Sequence, residues 1–218
     1  MFNNANTKLL DDMGSLVGWC TENVGKGQPR GTMSSHPNVA DITWTCPFRP
    51  KSLTELQTAV DAYEANTESA IETYGNISTW NIIDITDLSN LFKNSTLKNI
   101  DLSNWNVKNV EKMSGLFRES DLQSVGDLKN WDVSKVWSMQ SLCYRARDLN
   151  SIGDLSSWDV SNVTTFHHMF SDAESLTSIG DLSNWDTGKG TMFDRMFYKA
   201  KNISVGNLKY WCVDKQMT

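Results

Sequence analysis

The sequence predicts an α/β fold: a right-handed solenoid of coils about 25–27 residues long, each a short parallel strand plus a short helix, behind an N-terminal helical cap. Three observations predict it. Trp80, Trp105, Trp131, Trp158, Trp185 and Trp211 stand 25, 26, 27, 27 and 26 residues apart. Apolar residues align in columns around them, with Ile82, Val107, Val133 and Val160 two places after the indole and Leu102, Leu128, Leu155, Leu182 and Leu208 three places before it. Within each unit the apolar spacing changes from alternation to steps of three and four.

The strand is placed at the tryptophan. Trp158 and Val160 alternate with Ser157, Asp159 and Ser161, so the two sets are expected on opposite faces. The helix follows it, because Val163, Phe166, Met169, Phe170 and Ala173 have the spacing of about two helical turns. Residues 52–75 read as the cap. Ser52-x-x-Glu55 is a capping box with Leu53, Leu56, Val60 and Tyr63 on one face, and a second helix, Glu68 to Tyr74, stops at Gly75. Residues 1–51 lack the repeat; Leu9, Leu10, Met13, Leu16 and Val17 are compatible with a short amphipathic helix, and residues 21–41 read as loop. Residues 76–218 form the repeat region, five full coils and an unfinished sixth. Leu208, Tyr210, Trp211 and Val213 start that sixth coil, and an apolar edge open for docking is expected there. The chain stops seven residues after Trp211 with no polar capping repeat, which reads as a trimmed terminus.

Composition narrows the function classes. The 218 residues are 39% hydrophobic and 21% charged, with a net charge of -6, so no basic stripe for a nucleic-acid backbone is expected. No run of about 18 apolar residues marks a membrane span, and Met1 to Leu10 has no secretory pattern. The spacing of Cys20 and Cys46 permits a disulfide, Cys143 takes a core Phe place, and Cys212 follows a tryptophan. Sequons at Asn76, Asn94, Asn162 and Asn202, with a Cys20–Cys46 bridge, would fit an oxidising compartment.

Leu155-x-x-Trp158-x-Val160-x-x-Val163 has the spacing of a leucine-rich repeat, with Trp in the middle Leu place. The run Trp158-Asp159-Val160-Ser161-Asn162-Val163-Thr164-Thr165-Phe166-His167-His168-Met169-Phe170 closely resembles the 26-residue unit of the BspA-like family, a branch of the leucine-rich repeats found on bacterial surfaces and in algae and protists. The cap and its continuation through Trp80 are most similar to algal and protist members. The resemblance covers residues 52–213 and implies surface display and adhesion. Two copies depart from the pattern: Leu142-Cys143 lacks the Phe, and Asp186-Thr187-Gly188-Lys189-Gly190 lacks both valines.

Two places are candidates for binding a protein or a glycan. Asn106, Asp132, Asp159 and Asp186 follow successive tryptophans and would project from the concave sheet of the expected strands, either toward a partner or onto backbone amides. Trp137 stands in a column otherwise occupied by Thr86, Glu111, Thr164 and Thr191. With Tyr144 it would share a helix face, beside Arg118 and His168 of neighbouring coils, a grouping typical of binding hot spots and sugar-stacking sites. The carboxylates Asp101, Asp127, Asp154 and Asp181 recur one place before Leu, with turn amides as the simpler partners and a metal as the alternative. No catalytic constellation, cofactor motif or metal-ligand spacing is present, since adjacent His167 and His168 would diverge on a helix. The expected function is therefore non-enzymatic binding or adhesion at an extracellular or cell surface. The alternative is an accessory subunit docked in a larger algal or protist assembly, in an organelle or on a membrane.

Overall fold

The computed structural model describes residues 30–32 and 43–211, and the chain divides into two compact units, Met1–Phe48 and Arg49–Thr218. In the first unit β1 (Arg30–Thr32) pairs antiparallel with β2 (Thr43–Thr45), Gly31 opposite Trp44. Cys46 is buried and disulfide-bonded. Cys20, its expected partner, lies outside the described residues, as do the expected helix at residues 9–17, Cys212 and Val213.

The second unit opens with two helices, α1 (Leu53–Ala65) and α2 (Thr67–Tyr74). Ser52 caps α1 by accepting the Glu55 amide at 3.2 Å, and Glu55 reaches back to the Lys51 amide at 2.6 Å, so the orphan donors of the first turn are satisfied reciprocally. Asn66 ends α1 and starts α2, accepting the Ser69 amide at 3.0 Å. Leu56, Ala59, Val60 and Tyr63 are buried, and Tyr63 meets Trp80 edge-on at 5.9 Å. Gln57 of α1 donates its amide to the Leu91 carbonyl of the first coil at 3.2 Å.

Neither element expected in each coil forms, which overturns the α/β solenoid of parallel strands and helices. Among the described residues the repeat holds only short 3-10 turns, such as Leu128–Asn130 and Leu182–Asn184, and single parallel bridges such as Lys112 to Ser138 and Ser138 to Thr165. The expected strand is a chain of turns. The amide of Trp158 bonds Leu155 O at 3.0 Å and that of Val163 bonds Val160 O at 2.9 Å, so donors needed for a ladder are used locally.

The expected helix is also a run of turns, with a period of four. Positive φ recurs every four residues, at Gly115 and Glu119, Ser141 and Arg145, and His168 and Asp172. An α-helix would need negative φ throughout. Alternate amides therefore point along the stack: Met113, Gly115, Phe117 and Glu119 donate to Ser138, Gln140, Leu142 and Tyr144 of the next coil at 2.8–3.0 Å. The amides between them close local turns, as Leu116 does on Met113 O at 3.2 Å. A period of four buries the same side chains as a helix. Met113, Leu116 and Phe117 are fully enclosed, as are Met139, Leu142 and Cys143 in the next coil.

The tryptophans run through this core. Trp131 and Trp158 stack at 6.4 Å with 1° between their planes, and Trp185 and Trp211 at 5.9 Å with 5°. Each indole N–H also crosses one coil to a carbonyl: Trp131 to Leu102, Trp158 to Leu128 and Trp185 to Leu155, at 2.9–3.0 Å. A buried indole needs such a partner, and leucine in this place could not bond. The glycine in the recurring runs Ile152-Gly153-Asp154 and Ile179-Gly180-Asp181 has a steric reason. Gly153 and Gly180 hold φ near +86°, and a Cβ at either would overlap the carboxylate of Asp127 or Asp154 in the preceding coil.

Candidate functional site

Asn106, Asp132, Asp159 and Asp186 are all exposed, with no sheet beneath them. Each turns its Oδ1 onto the amide two residues ahead: Lys108 at 3.3 Å, Ser134 at 3.2 Å, Ser161 at 3.0 Å and Gly188 at 3.0 Å. They cap the turn that replaces the expected strand. Hydrogen bonds from the Ser161 hydroxyl and amide hold the Asp159 carboxyl below the usual range.

The second acidic column is built alike. Asp101, Asp127, Asp154 and Asp181 take the amides of Ser103, Lys129, Ser156 and Ser183 at 2.9–3.1 Å. The Ser103 hydroxyl lowers the Asp101 pKa, and the amides of Ser156 and Ser183 do the same first for Asp154 and Asp181. Among the described residues no three His, Cys, Asp or Glu side chains group as a metal would require. Two sequon side chains also hold coils together, Asn162 donating to Ser134 O at 2.7 Å and Asn202 to Glu174 O at 2.8 Å.

Side chains not used in turn capping gather along one edge of the stack. Tyr144 follows the positive-φ residue three before it, Ser141, and precedes another, Arg145. That reversal folds the Arg145 guanidinium back over the Tyr144 ring at 4.9 Å, while Arg118 of the preceding coil lies over it at 5.4 Å and His168 of the next meets it edge-on at 5.1 Å. Glu119 links both arginines, 3.4 Å from each. The Arg118 Nε and His168 Nδ1 atoms are shielded from solvent without hydrogen-bond partners, and burial, then His167 and Arg195, lowers the His168 pKa. Beside the cluster an open polar recess of about 380 Å³ is lined by Glu119, Ser120, Asp121, Arg145, Arg147 and Asp148.

Trp137 is separate from this cluster. Its backbone is held on both sides, by Glu111 O at 3.0 Å and by the Thr164 amide at 2.9 Å, so its side chain projects outward and is 42% exposed. Lys112 lies over the indole at 5.4 Å. The structure thus brings Arg118, Tyr144 and His168 together as expected. It removes the helix face on which Trp137 was expected to join Tyr144, and no ring contact links the two among the described residues. Sequence reasoning missed Arg145, Glu119 and Lys112. The repeat register places Glu119 one coil before Arg145, whereas Lys112 is the counterpart of Ser138, one residue past Glu111 in the Trp137 column.

No helix of the described residues is long and apolar enough to cross a membrane. No curated protein matches the chain, and no solved structure does. The family described as "Mycoplasma protein of unknown function, DUF285" matches residues 58–152 and again residues 121–218. Two overlapping matches are what a periodic chain produces, and together they span most of it: the chain belongs to the DUF285 family.

Proposed function

We propose that this chain is a non-enzymatic binding module of the BspA-like kind, displayed at an extracellular or cell surface, where it recognises a protein or glycan through the edge bearing Arg118, Tyr144, Arg145 and Trp137. The observation that carries this reading is the Tyr144 ring set between two guanidinium groups beside an open polar recess. Aromatic rings beside arginines dominate binding energy at many interfaces and also stack on sugars. The Asx column supports the reading by contrast, because its oxygens are already engaged in local turns. An array of glycans and surface proteins, probed with the full chain and with Tyr144→Ala, tests it. A specific ligand that the variant loses supports the module. Binding that is absent, or unchanged in the variant, rejects it.

A further inference from the structure

The recess beside Tyr144 lies where the stacking register slips by one residue between two interior coils. Lys112 bridges Ser138, 26 residues on, whereas Ser124 bridges Ser151, 27 residues on. The later coil therefore gains a residue between these bridges. Cross-coil bonds narrow the place: Glu119 donates to Tyr144 O at 2.8 Å and Asn150 to Gln123 O at 3.0 Å, so Glu119-x-x-Leu122 faces Arg145-x-x-x-Leu149. In the coil pairs on either side this stretch is bonded across, Asp121 to Ser95 O at 2.8 Å and Ser175 to Arg147 O at 3.2 Å. The pair between them has no such bond among the described residues, and the recess of about 380 Å³ opens there. An extra residue that interrupts a ladder re-aims the side chains around it, as a bulge does.

Every residue that lines the recess is polar or charged, and the charges balance. Asp121 pairs with Lys98 at 3.0 Å, Arg147 with Glu174 at 3.7 Å, and Glu119 with both Arg118 and Arg145 at 3.4 Å. Asp148 adds a carboxylate that none of these pairs uses, so four cations stand against four anions. A carboxylate accepts several hydrogen bonds and a guanidinium has five N–H donors, so the ion pairs leave both kinds of group over. Resting on the glycan reading of this edge, we propose that the recess is a subsite for a neutral pyranose unit. Asp148 and Asp121 accept its hydroxyl protons, and Arg145 and Arg147 donate to its oxygens. A sugar hydroxyl both donates and accepts without carrying charge, which suits a mixed lining of balanced sign. An anionic sugar would meet as many carboxylates as cations. A peptide side chain would find no apolar wall, because the flanking Leu122, Ala146 and Leu149 are fully enclosed. The volume is at the lower end of small-ligand sites, about 300–1,000 Å³.

The full chain is applied to an array of neutral, uronic and sulfated oligosaccharides. The glycan bound most strongly is then titrated in solution into the wild type, Asp148→Ala and Tyr144→Ala, at low and at high salt. A neutral glycan is expected, with an affinity that salt barely changes and that falls roughly tenfold or more in Asp148→Ala. That substitution breaks none of the ion pairs above, and an unchanged thermal melt confirms that the variant is folded. Preference for the uronic or sulfated glycans, or full affinity in Asp148→Ala, would overturn the proposal. Loss in Tyr144→Ala alone keeps the edge as the site and rejects the recess, whereas loss in Asp148→Ala alone keeps the recess and rejects the edge. Binding to no glycan rejects the recess, whether or not a protein binds the edge.

Discussion

The indole N–H of Trp158 donates to the carbonyl of Leu128, one coil back, at 3.0 Å, and the same carbonyl accepts the Trp131 amide at 3.0 Å. One leucine carbonyl thus closes its own turn and anchors the next coil. Trp158→Ala removes the ring, its stacking on Trp131 and this bond, and is expected to cost about 3–5 kcal/mol in denaturant unfolding. Trp158→Phe keeps most of the packing and leaves the carbonyl with its other donor, so a loss of about 1–2 kcal/mol is expected. Equal losses from both would show that the hydrogen bond, not the ring volume, dominates.

Gly180 and Asp154 make a second contact between coils. Gly180→Ala places a Cβ against the Asp154 carboxylate at a backbone φ of +85°. A loss of about 2–3 kcal/mol is expected from strain and displacement of the Ser156 cap together. Gly75→Ala is the comparison, since its nearest neighbour would be Thr79 Oγ1 at 3.6 Å. It carries a backbone penalty without a close contact, about 1–3 kcal/mol, because Gly75 at φ +74° and ψ 178° lies in a region essentially only glycine occupies. If the two substitutions cost the same, close approach to Asp154 has no energetic weight.

Stability should fall in acid in two stages. Burial keeps the His168 pKa below its free value, so its neutral form favours the folded state above about pH 6.5 and that contribution declines as the pH drops from there. The carboxyls of Asp101, Asp154, Asp159 and Asp181 are depressed by turn hydrogen bonds, and Asp84 is held at about 2 by Arg49 and then Lys51. Their stabilisation is complete above the free carboxyl value of about 3.9 and is lost as the pH falls through the depressed values. His168→Gln should remove the upper stage from a plot of denaturation midpoint against pH. A midpoint that stays level down to pH about 3 would contradict these assignments.

The Asx column and the exposed tryptophan should respond in opposite ways. Asp132→Ala combined with Asp159→Ala removes two turn caps and is expected to lower stability by about 1–3 kcal/mol while any ligand of the Tyr144 edge binds as before. Trp137→Ala should change stability by less than about 1 kcal/mol. Calorimetric melting of both variants decides this, and an unaltered melt for the aspartate pair would return those carboxylates to the list of partner contacts.

The repeat length, the buried columns and the paired helices of residues 53–74 were legible in the sequence because period and burial leave a direct mark on residue type. The local conformation was not. Met139, Leu142 and Cys143 have the same spacing in a helix as in turns repeating every four residues, so apolar periodicity cannot separate the two. Glycine or asparagine at the positive-φ places would have signalled the turns, and Asn90, Asn94 and Gly115 do so in the first two coils. In later coils those places hold Ser141 and Arg145, which carry no such signal, and His168 and Asp172, whose preference for positive φ is a weaker one. Arg145 was missed as a site residue for the same reason. One residue past Tyr144 on a helix it would point away, but at φ +56° it returns over the ring.

The sign of φ at Ser141, Arg145, His168 and Asp172 tests the turn-built coil most directly, through backbone scalar couplings in isotope-labelled protein. Positive φ at all four is predicted, with slow amide exchange at Ser141 and Cys143, whose N–H groups bond the next coil at 2.8 Å. Negative φ throughout, with helical couplings from Met139 to Arg145, would contradict it.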